Sequence, residues 1–303
     1  MRRHAIWAMG LAILLGWQTS QAAEQPQGAE KKGPPPSVTA LKDLAYVPGG
    51  HERQKLDLYL PEKAAEHPLP LVVWIHGGGW QGGDKAGFPV RPLVGRGYAV
   101  ASINYRFSQN AIFPAQIYDC KAAIRWLRAN AKKYNLDPNH VGVGGDSAGG
   151  HLVALLGTTA GVKGLEGNEG NLDQSSRVQA VLDWYGPTDF TALSLGPVLT
   201  NPNSPVSKLI GGPPQENKEK AAQASPITYV SKDSAPMLIM HGDKDNLVPI
   251  SQSEELAAAL KKAGVEVTFQ VVKGNGHGGP DFLNPENRKL ILDFFDKHLR
   301  ATK

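Results

Sequence analysis

The stretch from His140 to Leu156 limits what this chain can fold into more than any other. An apolar run, His140-Val141-Gly142-Val143-Gly144, leads into Gly145-Asp146-Ser147-Ala148-Gly149-Gly150, and His151-Leu152-Val153-Ala154-Leu155-Leu156 continues with a helical pattern. That order predicts strand, tight turn and helix. Glycines two before and two after Ser147 permit a turn sharp enough to lift the hydroxyl clear of a sheet, over a helix N-terminus. A bare G-x-S-x-G is a weak motif, and the flanking strand and helix give it chemical meaning.

The same alternation recurs along the chain. Strands are predicted at Leu44 to Val47, Lys55 to Leu60, Leu71 to Ile75, Tyr98 to Ile103, the run before Ser147, Val178 to Leu182, Met237 to Met240 and Val265 to Val272. Pro48-Gly49-Gly50 suggests a hairpin between the first two. Helices are expected at Phe88 to Arg96, from Pro114 to Tyr134, after Ser147, at Ser253 to Ala263 and at Leu290 to Leu299. Asp137-Pro138-Asn139 reads as a turn, Gly161 to Ser176 as a loop, and Thr188 to Ser225 as a short excursion with little periodicity. Alternating strands and helices predict an α/β fold with a mostly parallel eight-stranded sheet and its site at the carboxyl ends of the strands. Cys120, the single cysteine, lies on the apolar stripe of its helix and reads as a buried thiol.

A serine hydroxyl needs a base to take its proton, and the base needs a partner that fixes its tautomer. Among nine histidines, His277 stands out, because Lys273-Gly274-Asn275-Gly276-His277-Gly278-Gly279 follows the last strand and can reach inward. His151 is expected to pack beneath the turn. His241 opens the loop His241-Gly242-Asp243-Lys244-Asp245 and reads as support for an acid there. Either aspartate of that loop could orient the base; Asp245, the deeper one, is preferred, while Asp243 reads as a brace. The resulting order is Ser147, Asp245, His277, which is the order of an α/β-hydrolase. Gly78 and Gly79, in His76-Gly77-Gly78-Gly79-Trp80, could join Ala148 in offering backbone N–H groups to an oxyanion. Trp80 and Tyr185 are candidates for a substrate pocket. Asp84, Arg106 and Asp146 read as loop braces. The glycines lack the Lys-Ser/Thr of a phosphate-binding loop, and no histidine or carboxylate cluster has metal-ligand spacing.

The N-terminus combines Met1-Arg2-Arg3-His4, a largely apolar run from Ala5 to Trp17, and Ser20-Gln21-Ala22-Ala23. This predicts a signal peptide at 1–22 cleaved near Ala22, and therefore a secreted or periplasmic protein without a membrane span once cleaved. A proline-rich leader at 23–40 and one domain at 41–303 follow. Arg2 and Arg3 contribute to the net charge of +4, so the mature protein is near neutral and carries no electrostatic case for nucleic acid.

Together, His76-Gly77-Gly78-Gly79-Trp80, Asn104-Tyr105-Arg106, Phe113-Pro114-Ala115, Gly145 to His151 and Tyr185-Gly186-Pro187-Thr188-Asp189 resemble the α/β-hydrolase esterases of the hormone-sensitive-lipase-like group. The resemblance is closer to the BD-FAE-type branch of bifunctional acetylxylan and feruloyl esterases, and it runs from about Leu44 to Leu299. It implies a triad of Ser147, Asp245 and His277, an oxyanion hole of Gly78, Gly79 and Ala148, and no cofactor. The long N-terminal helical cap of that group is absent, and Phe107-Ser108-Gln109 stands where the group has Leu-Ala-Pro-Glu. The expected substrate is a small-molecule or carbohydrate-linked ester, with acetyl and feruloyl groups foremost. The other readings are a general short-chain esterase or lipase, a serine peptidase of the prolyl-oligopeptidase kind, and a non-catalytic binding protein.

Overall fold

The computed structural model describes residues 38–63 and 65–300. The expected signal peptide and most of the leader lie outside the described residues. The end of the leader is already domain, because β1 (Val38–Ala45) starts before residue 41. It turns through Pro48-Gly49-Gly50 into β2 (Lys55–Pro61), its antiparallel partner. β3 (Leu69–Ile75) follows. The helix expected at Phe88 to Arg96 is a short 3₁₀ helix, Arg91–Arg96, with a proline in its first turn and Gly97 closing it at φ 84°. β4 (Ala99–Ile103) comes next. The long helix expected up to Tyr134 is divided at Asn130 into α1 (Ala115–Ala129) and α2 (Ala131–Tyr134).

β5 (Leu136–Asp146) absorbs the expected turn as an irregularity. Its pairing with β3 jumps from Leu69↔Leu136 to Leu71↔Val141. The Asp137 carboxylate accepts the Asn139 N–H at 2.9 Å there, so local turn chemistry persists within the strand. The chain then runs through α3 (Ala148–Thr158), β6 (Ala180–Trp184), α4 (Pro205–Ile210), α5 (Lys218–Ala224), β7 (Met237–Gly242), α6 (Ser251–Lys262), β8 (Val267–Val272) and α7 (Pro285–Leu299).

The strands form one sheet in the order β1-β2-β4-β3-β5-β6-β7-β8. β1, β2 and β4 pair antiparallel, and every pair from β4 through to β8 is parallel. Residues of β3 alternate between two apolar layers: Leu71, Val73 and Ile75 join α1, α3 and α6, while Val72 and Trp74 join α7 and the 3₁₀ helix. Both faces are therefore covered, which is why this strand reads as an unbroken apolar run. Cys120 is fully buried in the first layer.

Two segments that read as irregular are firmly tied. Loop 161–170 is held by cations on α1: Lys121 Nζ bonds Thr159 O at 2.8 Å and Glu166 at 2.7 Å, and Arg125 reaches the Glu166, Glu169 and Gly170 carbonyls. The excursion after β6 contains α4 and α5. α4 is capped by Ser204, whose hydroxyl accepts the Ser207 N–H at 3.1 Å, and it ends at Gly211 with φ 87°. Ser-Pro at the start and glycine at the end are local helix signals that a search for periodicity passes over.

Candidate active site

The turn at Ser147 is strained and tightly enclosed. Ser147 has φ 53° and ψ −117°, a region that a side-chain-bearing residue occupies only when its surroundings enforce it. The Ser147 N–H donates to Trp184 O at 2.8 Å, and Ser147 O receives the His151 N–H at 3.0 Å, tying the turn to β6 and to α3. At Gly149 a Cβ would lie 2.0 Å from Ile75 O, so only glycine lets α3 start this close to β3.

The glycine loop leaves β3 beside this turn. Gly77 N–H donates to Asp146 Oδ1 at 3.2 Å, so Asp146 joins loop and turn. Burial raises the Asp146 carboxyl above the ordinary range. Gly78 (φ 106°) and Gly79 (φ 59°) bend the chain across the turn. The N–H groups of Gly78, Gly79 and Ala148 have no acceptor among the described residues, the last because it heads α3. His76 anchors the root of the loop, stacked on Tyr105 at 4.6 Å with its Nδ1–H on Gly77 O at 2.7 Å. Burial pushes its pKa down to about 4, so the ring is neutral and its Nε2 accepts from Arg53 at 3.3 Å.

The loop after β8 brings His277 over the serine, with Nε2 2.7 Å from Ser147 Oγ. Its Nδ1 lies 2.7 Å from Asp245 Oδ2 in the loop after β7. The other oxygen of Asp245 accepts the Leu247 and Val248 N–H groups at 2.8 and 2.9 Å. Burial would raise this carboxyl, but hydrogen bonds from His241, His277, Val248 and Leu247 outweigh it and hold the group well below the ordinary range. Asp243 does not reach His277; its carboxylate accepts the Gly274 N–H at 2.6 Å, stapling the two loops at their roots. The geometry thus separates two aspartates that sequence distinguished only by depth in the loop.

Tyr185 stands beside the histidine, ring centroids 4.6 Å apart, with φ 43° and most of its surface buried. Trp80 is a correction. It is 3% exposed, and its ring packs edge-on to His151 and Phe190. Its Nε1–H donates to His151 Nδ1 at 3.2 Å. The left-handed backbone at Trp80 (φ 56°) accompanies a ring lodged in the core, where it supports the glycine loop rather than forming a pocket wall. His151 packs beneath the turn as expected, its Nε2–H on Ala224 O at 2.7 Å, and burial lowers its pKa to about 4. Arg106 forks onto Asp119, and Asp84 accepts from Asn104 at 2.9 Å.

Three polar residues in the surroundings escaped the sequence reading. Asp183, at the end of β6, is fully buried beneath the turn. Gln252 and Ser253 are buried on α6; Gln252 Oε1 accepts the Thr188 and Asp189 N–H groups, and Ser253 meets His241. Their one sequence signal is polar character on the inward stripe of an amphipathic helix. Among the described residues, no group of three or more His, Cys, Asp or Glu is arranged to hold a metal ion.

This arrangement supplies a hydroxyl with a hydrogen-bonded base, an acid behind the base and free N–H donors beside the hydroxyl, the parts needed for acyl transfer. The BD-FAE family model matches residues 56–260, from β2 through most of α6. The chain belongs to the BD-FAE family. Its eight-stranded, mostly parallel sheet with flanking helices is the fold of the α/β-hydrolase esterases it is similar to. The esterase LipQ of Mycobacterium tuberculosis is 31% identical over 260 residues, which are 83% of this chain and 60% of LipQ. The chain thus spans less than two thirds of that relative. A solved structure described as a truncated carbohydrate esterase from gut microbiota is 38% identical with TM-score 0.80, covering 87% of this chain and 96% of that one. An acetyl ester-xyloside bifunctional hydrolase from Caldicellulosiruptor lactoaceticus is 29% identical with TM-score 0.67, covering 80% and 88%.

Proposed function

We propose that this BD-FAE member is a serine carboxylesterase that removes acyl groups, acetyl or feruloyl, from plant-wall carbohydrate. The observation that carries the mechanism is the unbroken hydrogen-bonded line from Ser147 Oγ through His277 to Asp245, with both links at 2.7 Å. Ser147 attacks the ester carbonyl as His277 Nε2 takes its proton. The N–H groups of Gly78, Gly79 and Ala148 receive the charge that develops on the carbonyl oxygen. His277 then protonates the departing alcohol, and water, activated by the same nitrogen, releases the acid from the acyl-enzyme. Asp245 keeps the imidazole in the Nδ1–H tautomer throughout.

Two observations support a carbohydrate ester. Solved relatives are described as a carbohydrate esterase and an acetyl ester-xyloside hydrolase. Beside the glycine loop lies a strongly polar cavity of about 400 Å³, with Arg53, Asp84, Asn104 and Gln109 in its wall. A neighbouring cavity of about 460 Å³ shares Gln109 and adds Gln81, Ser108 and Lys208. Neither wall contains Ser147, His277 or a glycine of the loop, so these cavities bear on the outer part of the alcohol, where so many donors and acceptors suit a hydroxyl-rich group better than a long acyl chain. The reading includes export with cleavage near Ala22, supported by the N-terminal pattern. An intact mass of exported protein that still includes Met1 to Arg3 would overturn that part.

The decisive experiment compares acetyl-xylan, methyl ferulate and p-nitrophenyl esters of graded length with the native protein and with Ser147→Ala. The serine mechanism predicts a loss on the order of 10⁶ in kcat for the variant. Undiminished hydrolysis would exclude it. Release of acetate or ferulate from the natural esters supports the carbohydrate reading, while turnover confined to p-nitrophenyl esters would replace it with a general short-chain esterase.

A further inference from the structure

A second imidazole touches the acid, and the reaction just described has no part for it. His241, the fifth residue of β7, has a fully enclosed side chain. Its Nε2 lies 3.1 Å from Asp245 Oδ2, the same oxygen that faces His277. The same Nε2 lies 3.0 Å from Val248 O, which can only accept, so Nε2 carries a proton and shares it between the two oxygens. In the neutral ring Nδ1 is then an acceptor, and the Ser253 hydroxyl, 2.7 Å away on α6, donates to it. The two Asp245 oxygens thus receive four N–H donors: Leu247 and Val248 on Oδ1, His241 and His277 on Oδ2. Four donors match the acceptor capacity of a carboxylate, and no rotation of the group keeps them all.

We propose that His241 is a positioning residue for the acid: with its Nε2 proton fixed by Val248 O and its Nδ1 held by the Ser253 hydroxyl, it occupies one side of Asp245 Oδ2 so that His277 is met only on the other. The proposal rests on the serine-esterase reading above. Its chemical consequence concerns the proton on His277 Nδ1. A carboxylate already holding the His241 N–H is a weaker base toward a second imidazole, so the proton stays on His277 when that ring becomes imidazolium. Without His241, the acid loses one of its four donors, and is then held less firmly on the Oδ2 side and carries more unshared negative charge. The first effect lowers turnover. The second strengthens the attraction for imidazolium, so the acid limb of the rate, where the base already carries a proton and cannot take one from Ser147, moves to higher pH. The groups facing His241 are Asp245 and Val248 from its own loop, Ser253 from α6, Asp183 at the end of β6 and the Tyr185 ring at 6.3 Å. Those facing His277 are Ser147, Asp245, Tyr185 and Asp146.

The test measures kcat and the acid limb of kcat/KM on p-nitrophenyl acetate for His241→Leu, His241→Gln and Ser253→Ala, with melting temperature and near-UV circular dichroism as folding controls. His241→Leu should lower kcat by roughly ten- to hundred-fold. Its acid limb should move upward by about half a pH unit or more. His241→Gln, which can place an N–H near the same oxygen, should recover part of both effects. Ser253→Ala leaves the ring in place but removes the donor that holds its Nδ1 side, loosening the ring against Asp245, and should show a smaller shift of the same sign. An acid limb that stays put in a folded His241→Leu protein, or a kcat loss that Gln does not relieve at all, would mean that His241 only fills space. If His241→Leu does not fold, Ser253→Ala decides: an unchanged limb and kcat overturn the proposal. Ser147→Ala and Asp245→Asn, run alongside, separate this from failure of the parent mechanism, since full activity in either would remove the triad and not merely its support.

Discussion

Asp183 offers a prediction whose size can be worked from the structure. The residue is fully buried, its Oδ1 accepts the Gly186 N–H at 3.0 Å, and its Oδ2 has no partner among the described residues. The backbones of Gly150 and Gly186 press on Oδ1 so closely that a Cβ at either would lie 2.5 or 2.7 Å from it. Burial lifts the pKa to about 7, against the pull of the Gly186 N–H and of His241. The unfolded value is about 3.9. A carboxyl whose pKa is raised on folding binds more protons in the native state between these values, so its contribution to stability falls as pH rises through that window. Integrating from pH 5 to pH 8 gives a loss of about 2.5 kcal/mol attached to this one group. Asp183→Asn removes the titration while keeping shape and the acceptor for Gly186. Urea unfolding of the two proteins at pH 5 and pH 8 is the assay, because titrations elsewhere cancel in the comparison. The variant should gain about 2 to 3 kcal/mol on the native protein between pH 5 and pH 8, whatever the absolute effect of its amide. A difference between the two proteins that is equal at both pH values would refute the reasoning.

Exchanging the acids in turn tests their assignment: Asp245→Asn should lower kcat by about 10⁴-fold, because the base loses the partner that fixes its tautomer. Asp243→Asn should cost less than ten-fold on the same ester assay, since Asp243 meets Gly274 N–H, which an amide oxygen can still accept, and Lys273 rather than His277. A larger loss at Asp243 would reverse the roles. Gly149→Ala inserts a Cβ 2.0 Å from Ile75 O and 2.8 Å from His76 O, both backbone atoms with little freedom to yield. Overpacking of this kind costs about 1–3 kcal/mol or more, and here it separates the serine from the glycine loop. Soluble protein with a lowered melting temperature and at least a hundred-fold loss of kcat is expected, and native activity would show that the contact is dispensable.

Much of this architecture was legible because its signals are local. The strand, the turn at Ser147 and the helix after it sit within 17 consecutive residues, His140 to Leu156, and seven of the eight expected strands lie close to where their apolar runs stand, while the first begins six residues earlier, at Val38, in a polar-faced edge strand. The reading failed where a residue's meaning depends on a distant contact. Trp80 follows a glycine loop and looks free to line a cavity, yet its ring is captured by His151 and Phe190, 71 and 110 positions further along. Asp137-Pro138-Asn139 makes the local turn it advertises, but pairing with β3 on both sides keeps it within a strand. Asp245, preferred over Asp243 for its depth in the loop, is the one that meets His277, but the reason lies in where Gly274 and His277 come to rest, which two carboxylates separated by one residue cannot encode by themselves. The helices of the excursion were missed for the opposite reason: α4 and α5 are too short to show a period, and the start and stop of α4 are written in its caps.

The close approach of Gly149 to Ile75, together with the Gly77 to Asp146 bond, joins the serine turn and the glycine loop across two neighbouring strands, β3 and β5. Ser147 Oγ and the N–H groups of Gly78, Gly79 and Ala148 are therefore parts of one rigid block at the centre of the sheet. The exposed residues of the excursion, Leu193, Ser194 and 200–203, and Gln109 and Asn110 beside the polar cavities, lie outside that block. Mutations there can reshape the surroundings of the cavities without disturbing the distance between Ser147 Oγ and those N–H groups. A scaffold divided in this way lets substrate range drift over evolutionary time, or be redesigned by segment exchange, while the bond-breaking machinery is inherited unchanged.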